Sequence, residues 1–314
     1  MTDRLVWERD GRDWPNHEAS RFVDAAGLRW HVQQTGQPVR DAPALLLIHG
    51  TGGSLHSWRD VAPLLAPHFH VLAIDLPGHA FTGAAPAAQM SLPGMAQALA
   101  GLLQQLGVAP ACVIGHSAGS AIAARLVLDG LIAPRALIGI NAALLPLHGL
   151  PGIVFAPMAR LLAGAAIVPR LFAWRAQDGA SVARLIARTG STIDATGVAL
   201  YARLVQNPGH VAGALAMMAN WDLEPLFADL PRLATPLLLV VGAHDTTVPP
   251  DQAPRVAARV PGARVVRLPG LGHLAHEEQP AQVAALVLEQ ARDMGLVPCE
   301  GAQRLNSFLV SGDT

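Results

Sequence analysis

The chain has 314 residues, 51% hydrophobic and 14% charged, with 22 Lys+Arg against 23 Asp+Glu, a length that suits two domains or one large α/β domain carrying an insertion. All 22 basic residues are arginine, which excludes a Walker-A ATPase, a pyridoxal enzyme and a protein kinase, since each needs a lysine at its chemical centre. A net charge of -1 with no basic block argues against electrostatic binding to nucleic acid.

From the N-terminus, residues 1–10 are charged throughout and contain no apolar stretch, so no Sec signal is expected and a cytoplasmic location is. Residues 21–33 read as two strands turning at Gly27, an antiparallel start to a sheet. Short apolar runs rich in branched residues follow at Ala44 to His49, Val71 to Asp75, Ala111 to Gly115, Ala136 to Ile140, Pro236 to Gly242 and Ala263 to Leu268. Helical patterns alternate with them at about Leu92 to Leu106, Ala118 to Leu128, Pro250 to Val260 and Gln279 to Met294. This alternation predicts an α/β architecture: a mostly parallel eight-stranded sheet with helices on both faces.

One interval breaks the rhythm. Between Ala142 and Pro236 the next strand is delayed by more than 90 residues rich in Ala, Leu, Gly and Pro, too long for a structureless loop. A helical cap over about 145–224 is expected there, dividing the core into 1–144 and 225–294, with a loose tail over 295–314. The 24 residues 136–159 carry no charge, but Asn141, Pro146, Pro151 and Pro157 interrupt them, which argues for an apolar cap segment rather than a membrane span. The two cysteines, Cys112 and Cys299, stand 187 positions apart with no metal spacing and are expected as free thiols.

The chemistry concentrates in Gly115-His116-Ser117-Ala118-Gly119, a G-x-S-x-G placed between a buried strand and a small-residue helix. That context makes Ser117 a nucleophile presented on a sharp turn, with the flanking glycines relieving the crowding. A serine hydroxyl needs a base, and His273, on a Gly-rich loop after the last strand, is best placed; His276 is the rival. The base needs an acid. Asp245 follows a strand 28 residues before His273, with Asp251 as the alternative, while Asn141 at the end of the preceding strand is uncharged. The oxyanion donors are expected at the N–H groups of Ala118 and of Thr51, the latter in the loop His49-Gly50-Thr51-Gly52-Gly53. His273, His276 and Glu277 lack metalloprotease order, so no metal and no cofactor are expected. Within the cap, Phe155, Phe172, Trp174 and Trp221 are candidates to line an apolar pocket for a large flat ligand, or to hold cap helices in place.

Together, residues 49–52 (HGTG), 75–79 (DLPGH), 115–119 (GHSAG), 242–245 (GAHD) and 272–273 (GH) resemble the α/β-hydrolase superfamily over roughly 20–293. Residues 7–16 (WERDGRDWPN), 18–23 and 27–32, with HGTG and 56–59 (HSWR), are most similar to the magnesium chelatase accessory proteins of bacteriochlorophyll biosynthesis. Ala80 departs from the superfamily, which often has glycine there. The resemblance implies an accessory partner of the magnesium chelatase subunits, cytoplasmic and near the photosynthetic membrane. That multisubunit enzyme uses ATP, and a chain without lysine or P-loop would have only an accessory part in it. Three roles follow: a serine hydrolase of a small apolar ester, thioester or related acyl compound; a tetrapyrrole carrier with an idle triad; and a scaffold for chelatase subunits. A cofactor-free haloperoxidase-like perhydrolase would use the same triad, whereas dehalogenases and most epoxide hydrolases of this fold place Asp where Ser117 stands.

Overall fold

The computed structural model describes residues 4–146, 167–176 and 179–298. Eight strands form one sheet: β1 (Ser20–Ala25), β2 (Leu28–Gly36), β3 (Ala44–Ile48), β4 (His70–Ile74), β5 (Pro110–His116), β6 (Ala136–Ile140), β7 (Leu237–Gly242) and β8 (Arg264–Leu268). Their spatial order is β1-β2-β4-β3-β5-β6-β7-β8. β1–β2 and β2–β4 pair antiparallel, and every other pair is parallel, as predicted. The predicted hairpin turns at Ala26 and Gly27, both at positive φ.

Two apolar layers sandwich this sheet because the central strands are apolar at every position. On β3, Leu46 and Ile48 face one layer and Leu45 and Leu47 the other, the period-2 consequence of the pleat. Of the helices, α1 (Trp7–Asp10) precedes the sheet, and α2 (Val61–Leu65) packs on the face that holds Leu45 and Leu47. On the opposite face lie α3 (Leu92–Leu106) and α4 (Ala118–Leu128). Helix α3 begins at Ser91, whose side chain accepts from the Gly94 N–H, and stops at Gly107 in the left-handed region.

The long interval between β6 and β7 carries α5 (Ile167–Arg175), α6 (Gly179–Ala187), α7 (Ala195–Val205), α8 (Pro208–Ala219) and α9 (Glu224–Asp229). The chain then returns through β7, α10 (Gln252–Ala257), β8, α11 (Ala275–Glu278) and α12 (Pro280–Asp293). Residues 147–166 and the tail from 299, including Phe155 and Cys299, lie outside the described residues, as does the Phe172 side chain. Among the described residues no helix is long and apolar enough to cross a membrane; residues 136–140 of the uncharged run form the buried strand β6.

The sheet order places β3 between β4 and β5, so the chain leaves β3 and β5 toward opposite faces. Ligand sites of open α/β sheets form at such a switch point, beyond the carboxyl ends of the strands. The loop that starts at His49 and the turn at Ser117 both open there.

Candidate active site

Ser117 sits between β5 and α4 with φ 51 and ψ -119, a conformation that costs a non-glycine residue about 1–3 kcal/mol. The surroundings hold it there. Its N–H donates to Ile140 O at 3.0 Å, and its carbonyl accepts from Ser120 and Ala143 N–H at 3.1 Å each. A Cβ on Gly115 would lie 2.4 Å from Ser120 N, and one on Gly119 2.3 Å from Ile48 O. The turn is therefore as tight as the two glycines allow, and it aims the N-terminus of α4 at the serine, where negative charge is favoured.

Asp245 and His273 meet across the loops after β7 and β8: Asp245 Oδ2 is 2.8 Å from His273 Nδ1. The other carboxylate oxygen accepts from Thr247 N–H at 2.8 Å and Val248 N–H at 2.9 Å, so Asp245 is buried with its acceptors engaged. Asp251, the alternative acid, is exposed at the start of α10 and is not the partner of His273. His276 is fully buried, packed at a tilt between the Trp58 and His116 rings at 4.5 Å from each, and neither ring nitrogen has a hydrogen-bond partner among the described residues. Burial pushes its pKa down to about 3, which keeps it neutral.

Three residues that motif reading passed over position this pair. Asn141, at φ 46, donates through Nδ2 to His273 O at 2.7 Å and Gly272 O at 2.9 Å, and accepts from Gly242 N–H at 2.7 Å. It pins the His273 loop to the end of β7. His116 donates from Nε2 to His273 O at 2.9 Å, and burial, with His276 and His273 beside it, holds its pKa well below the ordinary value. The third is Thr189, from the insertion, whose carbonyl accepts from the His273 N–H at 3.2 Å. Only Asn141, at a strand end, carried a local signal, and its lack of charge hid its role as a staple.

Thr51 and Ala118 line one cavity with Ser117 and His273. Among the described residues neither N–H has a backbone partner. The Gly50 carbonyl accepts from Gly53 N–H at 3.2 Å and from His49 Nδ1 at 2.7 Å. Because the peptide is planar and trans, the Thr51 N–H on the same plane points away from those donors. His49 takes the Leu76 N–H on Nε2 at 2.9 Å, so its proton lies on Nδ1, and burial lowers its pKa well below the ordinary value.

The cavity holds about 710 Å³, within the range of small-molecule sites, and is lined mainly by apolar side chains. Helices α6, α7 and α8 contribute walls, with Tyr201 and Trp221 as its aromatic surfaces. Trp174, expected among the lining residues, does not reach it. The helical turn places its neighbour Ala173 inward at 4% exposure and leaves Trp174 outside at 65%.

An ionic cluster, buried at Arg59 and Glu277 and exposed at Asp194, fastens the insertion to the core. Arg59 binds Glu277 Oε2 and Asp194 Oδ1 at 2.9 Å each, and the Tyr201 hydroxyl donates to Glu277 Oε1 at 2.7 Å. Burial pushes the Glu277 carboxyl up to about 7, partly offset by Tyr201 and Arg59. Cys112 is a free, buried thiol pushed up to about 12 by its apolar surroundings, which makes it inert. Among the described residues no three His, Cys, Asp or Glu side chains converge as a metal site.

Known proteins give the same frame. A magnesium-chelatase 30 kDa subunit of Rhodobacter capsulatus is 42% identical over 281 residues, covering 88% of this chain and 96% of that one. A putative carbamate hydrolase, RutD, of Stutzerimonas stutzeri is 29% identical, covering 77% of this chain and 89% of that one. The crystal structure of an α/β-hydrolase fold protein from Burkholderia ambifaria superposes with a TM-score of 0.70 at 25% identity, covering 86% of this chain and 99% of that one. The family model described as the alpha/beta hydrolase fold matches residues 43–280. With that model spanning most of the chain and the strand order carrying Ser117 at its switch point, the chain belongs to the α/β-hydrolase fold family.

Proposed function

We propose that this chain is a serine hydrolase acting through an acyl-enzyme on Ser117, with His273 as base, Asp245 as the acid that orients it, and Thr51 and Ala118 N–H as oxyanion donors. The observation that carries the reading is the 2.8 Å Asp245–His273 bond, with His273 and the strained Ser117 opening on one cavity. With Asp245 on Nδ1, Nε2 is left to take the Ser117 proton as Oγ attacks an acyl carbonyl. The oxyanion forms against the two N–H groups and the N-terminus of α4. Collapse breaks the bond to the leaving alcohol or thiol, which takes from His273 the proton that came from Ser117. Water, deprotonated by the same nitrogen, then attacks the acyl carbon; collapse breaks the bond to Ser117 Oγ, which regains its proton from His273, and the acid departs. The insertion over about 145–224 acts as a cap that closes the cavity, and its apolar lining suits an uncharged acyl group.

The 42% identity to a magnesium-chelatase subunit supports placing this hydrolase beside magnesium chelatase, in bacteriochlorophyll biosynthesis, as an accessory protein. It would then work in the cytoplasm, at the photosynthetic membrane, with chelatase subunits as partners. The test of the chemistry is labelling with a fluorophosphonate probe. Wild type should be labelled and Ser117→Ala not; an unlabelled wild type removes the hydrolase reading.

One observation favours a second reading, a tetrapyrrole carrier with an idle triad: Tyr201 and Trp221 give the cavity ring surfaces on which a flat ligand would stack. Saturable quenching of tryptophan fluorescence by protoporphyrin, weakened in Trp221→Ala, would support it. A flat titration at micromolar ligand would remove it.

A further inference from the structure

A side chain of the insertion reaches the loop after β3, bonding to Gly52 from 158 residues away in sequence. His210, in the first turn of α8, is buried, with both ring nitrogens engaged on the core. Nδ1 accepts from the Ala80 N–H at 3.0 Å, so the ring proton is on Nε2, which donates to Gly52 O at 3.0 Å. Burial lowers the His210 pKa to about 3, so this tautomer holds across the ordinary pH range.

The consequence runs along two peptides. The Gly52 carbonyl shares a plane with the Gly53 N–H, which donates to Gly50 O at 3.2 Å. The Gly50 carbonyl shares a plane with the Thr51 N–H. The chain of donors is therefore His210 Nε2–H to Gly52 O, Gly53 N–H to Gly50 O, and Thr51 N–H to the cavity. Each bond polarises the next. Gly52, at φ 75, has no side chain to restrict its peptide planes, and the His210 bond holds from outside the loop the same peptide that Gly53 N–H holds from within.

Two contacts keep His210 in reach. The backbone of α8 lies directly on the loop that ends in Ala80: a Cβ on Gly213 would sit 2.1 Å from Gly78 O. The Thr51 hydroxyl points at Met217 Sδ, 3.4 Å away and two turns further along α8. Ala80, at φ 41, occupies the position where the superfamily often has glycine, and its N–H is the donor that fixes the His210 ring.

We propose that His210 is a positioning residue for oxyanion stabilisation, through which helix α8 of the insertion orients the Thr51 N–H. The inference rests on the hydrolase reading above. It implies that the insertion is part of the catalytic apparatus, and that a shift of α8 would weaken transition-state binding before it altered substrate binding.

The test uses the whole chain with p-nitrophenyl butyrate and a trifluoromethyl ketone, which forms a tetrahedral adduct on a reactive serine. Loss of a whole oxyanion donor costs about 10²–10³ in kcat, so loss of its support in His210→Ala should cost roughly 10-fold or more. KM should stay within about 2-fold, and inhibition by the ketone should weaken by the same factor as kcat. His210→Gln, whose amide can still donate to the Gly52 carbonyl, should recover part of the loss. A folded His210→Ala with unchanged kcat, or with KM alone raised, overturns the proposal.

Should His210→Ala fail to fold, the wild type decides: the Nε2 proton resonance of His210 should shift when the ketone adduct forms, and a resonance that stays in place overturns the proposal. A wild type that neither turns over the ester nor takes a fluorophosphonate removes the hydrolase reading itself. An active, labelled wild type with a fully active His210→Ala removes only the role of His210.

Discussion

At the scale of single residues, the proposed site divides into candidates for the chemistry and the groups that hold them. Ser117→Ala should lower hydrolysis of an activated ester by roughly 10⁶, and Asp245→Asn by roughly 10⁴, since base and oxyanion donors survive the second change. Steady-state kinetics on both variants checks the ranking; an Asp245→Asn as inactive as Ser117→Ala would mean that the carboxylate does more than orient His273. The candidates Ser117, Asp245 and His273 were legible because each stands at a strand end in a motif with a local backbone requirement. Their supports were not. Asn141 binds a loop 131 and 132 residues away, and His210 a loop 158 residues away, and no spacing rule spans such distances. The alternative acid Asp251 and the lining candidate Trp174 show the converse: residue type fitted a role, but a helix start and a helix face turned each side chain elsewhere.

At the scale of elements, apolar pattern located the strand ends to within a residue or two, except that β2 runs three residues past the expected residue 33, and it located α3 and α4 to the residue, because caps and glycines mark their ends. The short helices α1, α2 and α11 escaped, being too brief to show a period. What pattern could not show is the charge buried between elements. Glu277, on α11, is held at about 7 in the fold against an ordinary value of about 4.5. Within that window the folded chain keeps a proton that the unfolded chain releases, so this group lowers stability as pH rises. The buried neutral histidines act in the opposite sense. His79 at about 4 and His276 at about 3 gain protons mainly on unfolding, so they lower stability as pH falls below about 6.5. The Glu277 contribution is isolated by comparison with Glu277→Gln. Subtracting the variant's urea midpoints from those of wild type at pH 5 and pH 8 should give a difference that falls as pH rises. A difference independent of pH would show that Glu277 titrates at an ordinary value.

At the scale of the whole molecule, the N-terminal residues that carried the closer resemblance are a strap between core and insertion. Trp7 packs edge-on against Phe22 and Phe81, with centroids at 5.6 and 4.9 Å. Trp14, 2% exposed, meets Phe81 at 5.0 Å and His56 at 5.7 Å. From the other side, Arg203 of α7 lies over the Trp14 ring at 5.4 Å and binds Asp13 at 3.0 Å. Pro15 O accepts from Gln33 of β2 at 2.7 Å, and Asn16 donates to Arg59 O at 3.1 Å, which leads into the cluster that also binds Asp194. The strap therefore touches β2, the Arg59 cluster and α7, the helix that brings Tyr201 to the cavity. Removing a buried tryptophan costs about 3–5 kcal/mol. Trp14→Ala should lower the unfolding free energy by about that much and should speed amide exchange in α7 before that of β3 and β5. Arg203→Ala, which gives up a largely exposed ion pair with Asp13, the contact with the Trp14 ring and a bond to the Asp10 carbonyl, should cost about 1–2 kcal/mol. Site-resolved hydrogen exchange on both variants checks the claim. Uniform acceleration across the sheet and α7 in Trp14→Ala would mean that the strap stabilises the core alone and does not fasten the insertion over Ser117.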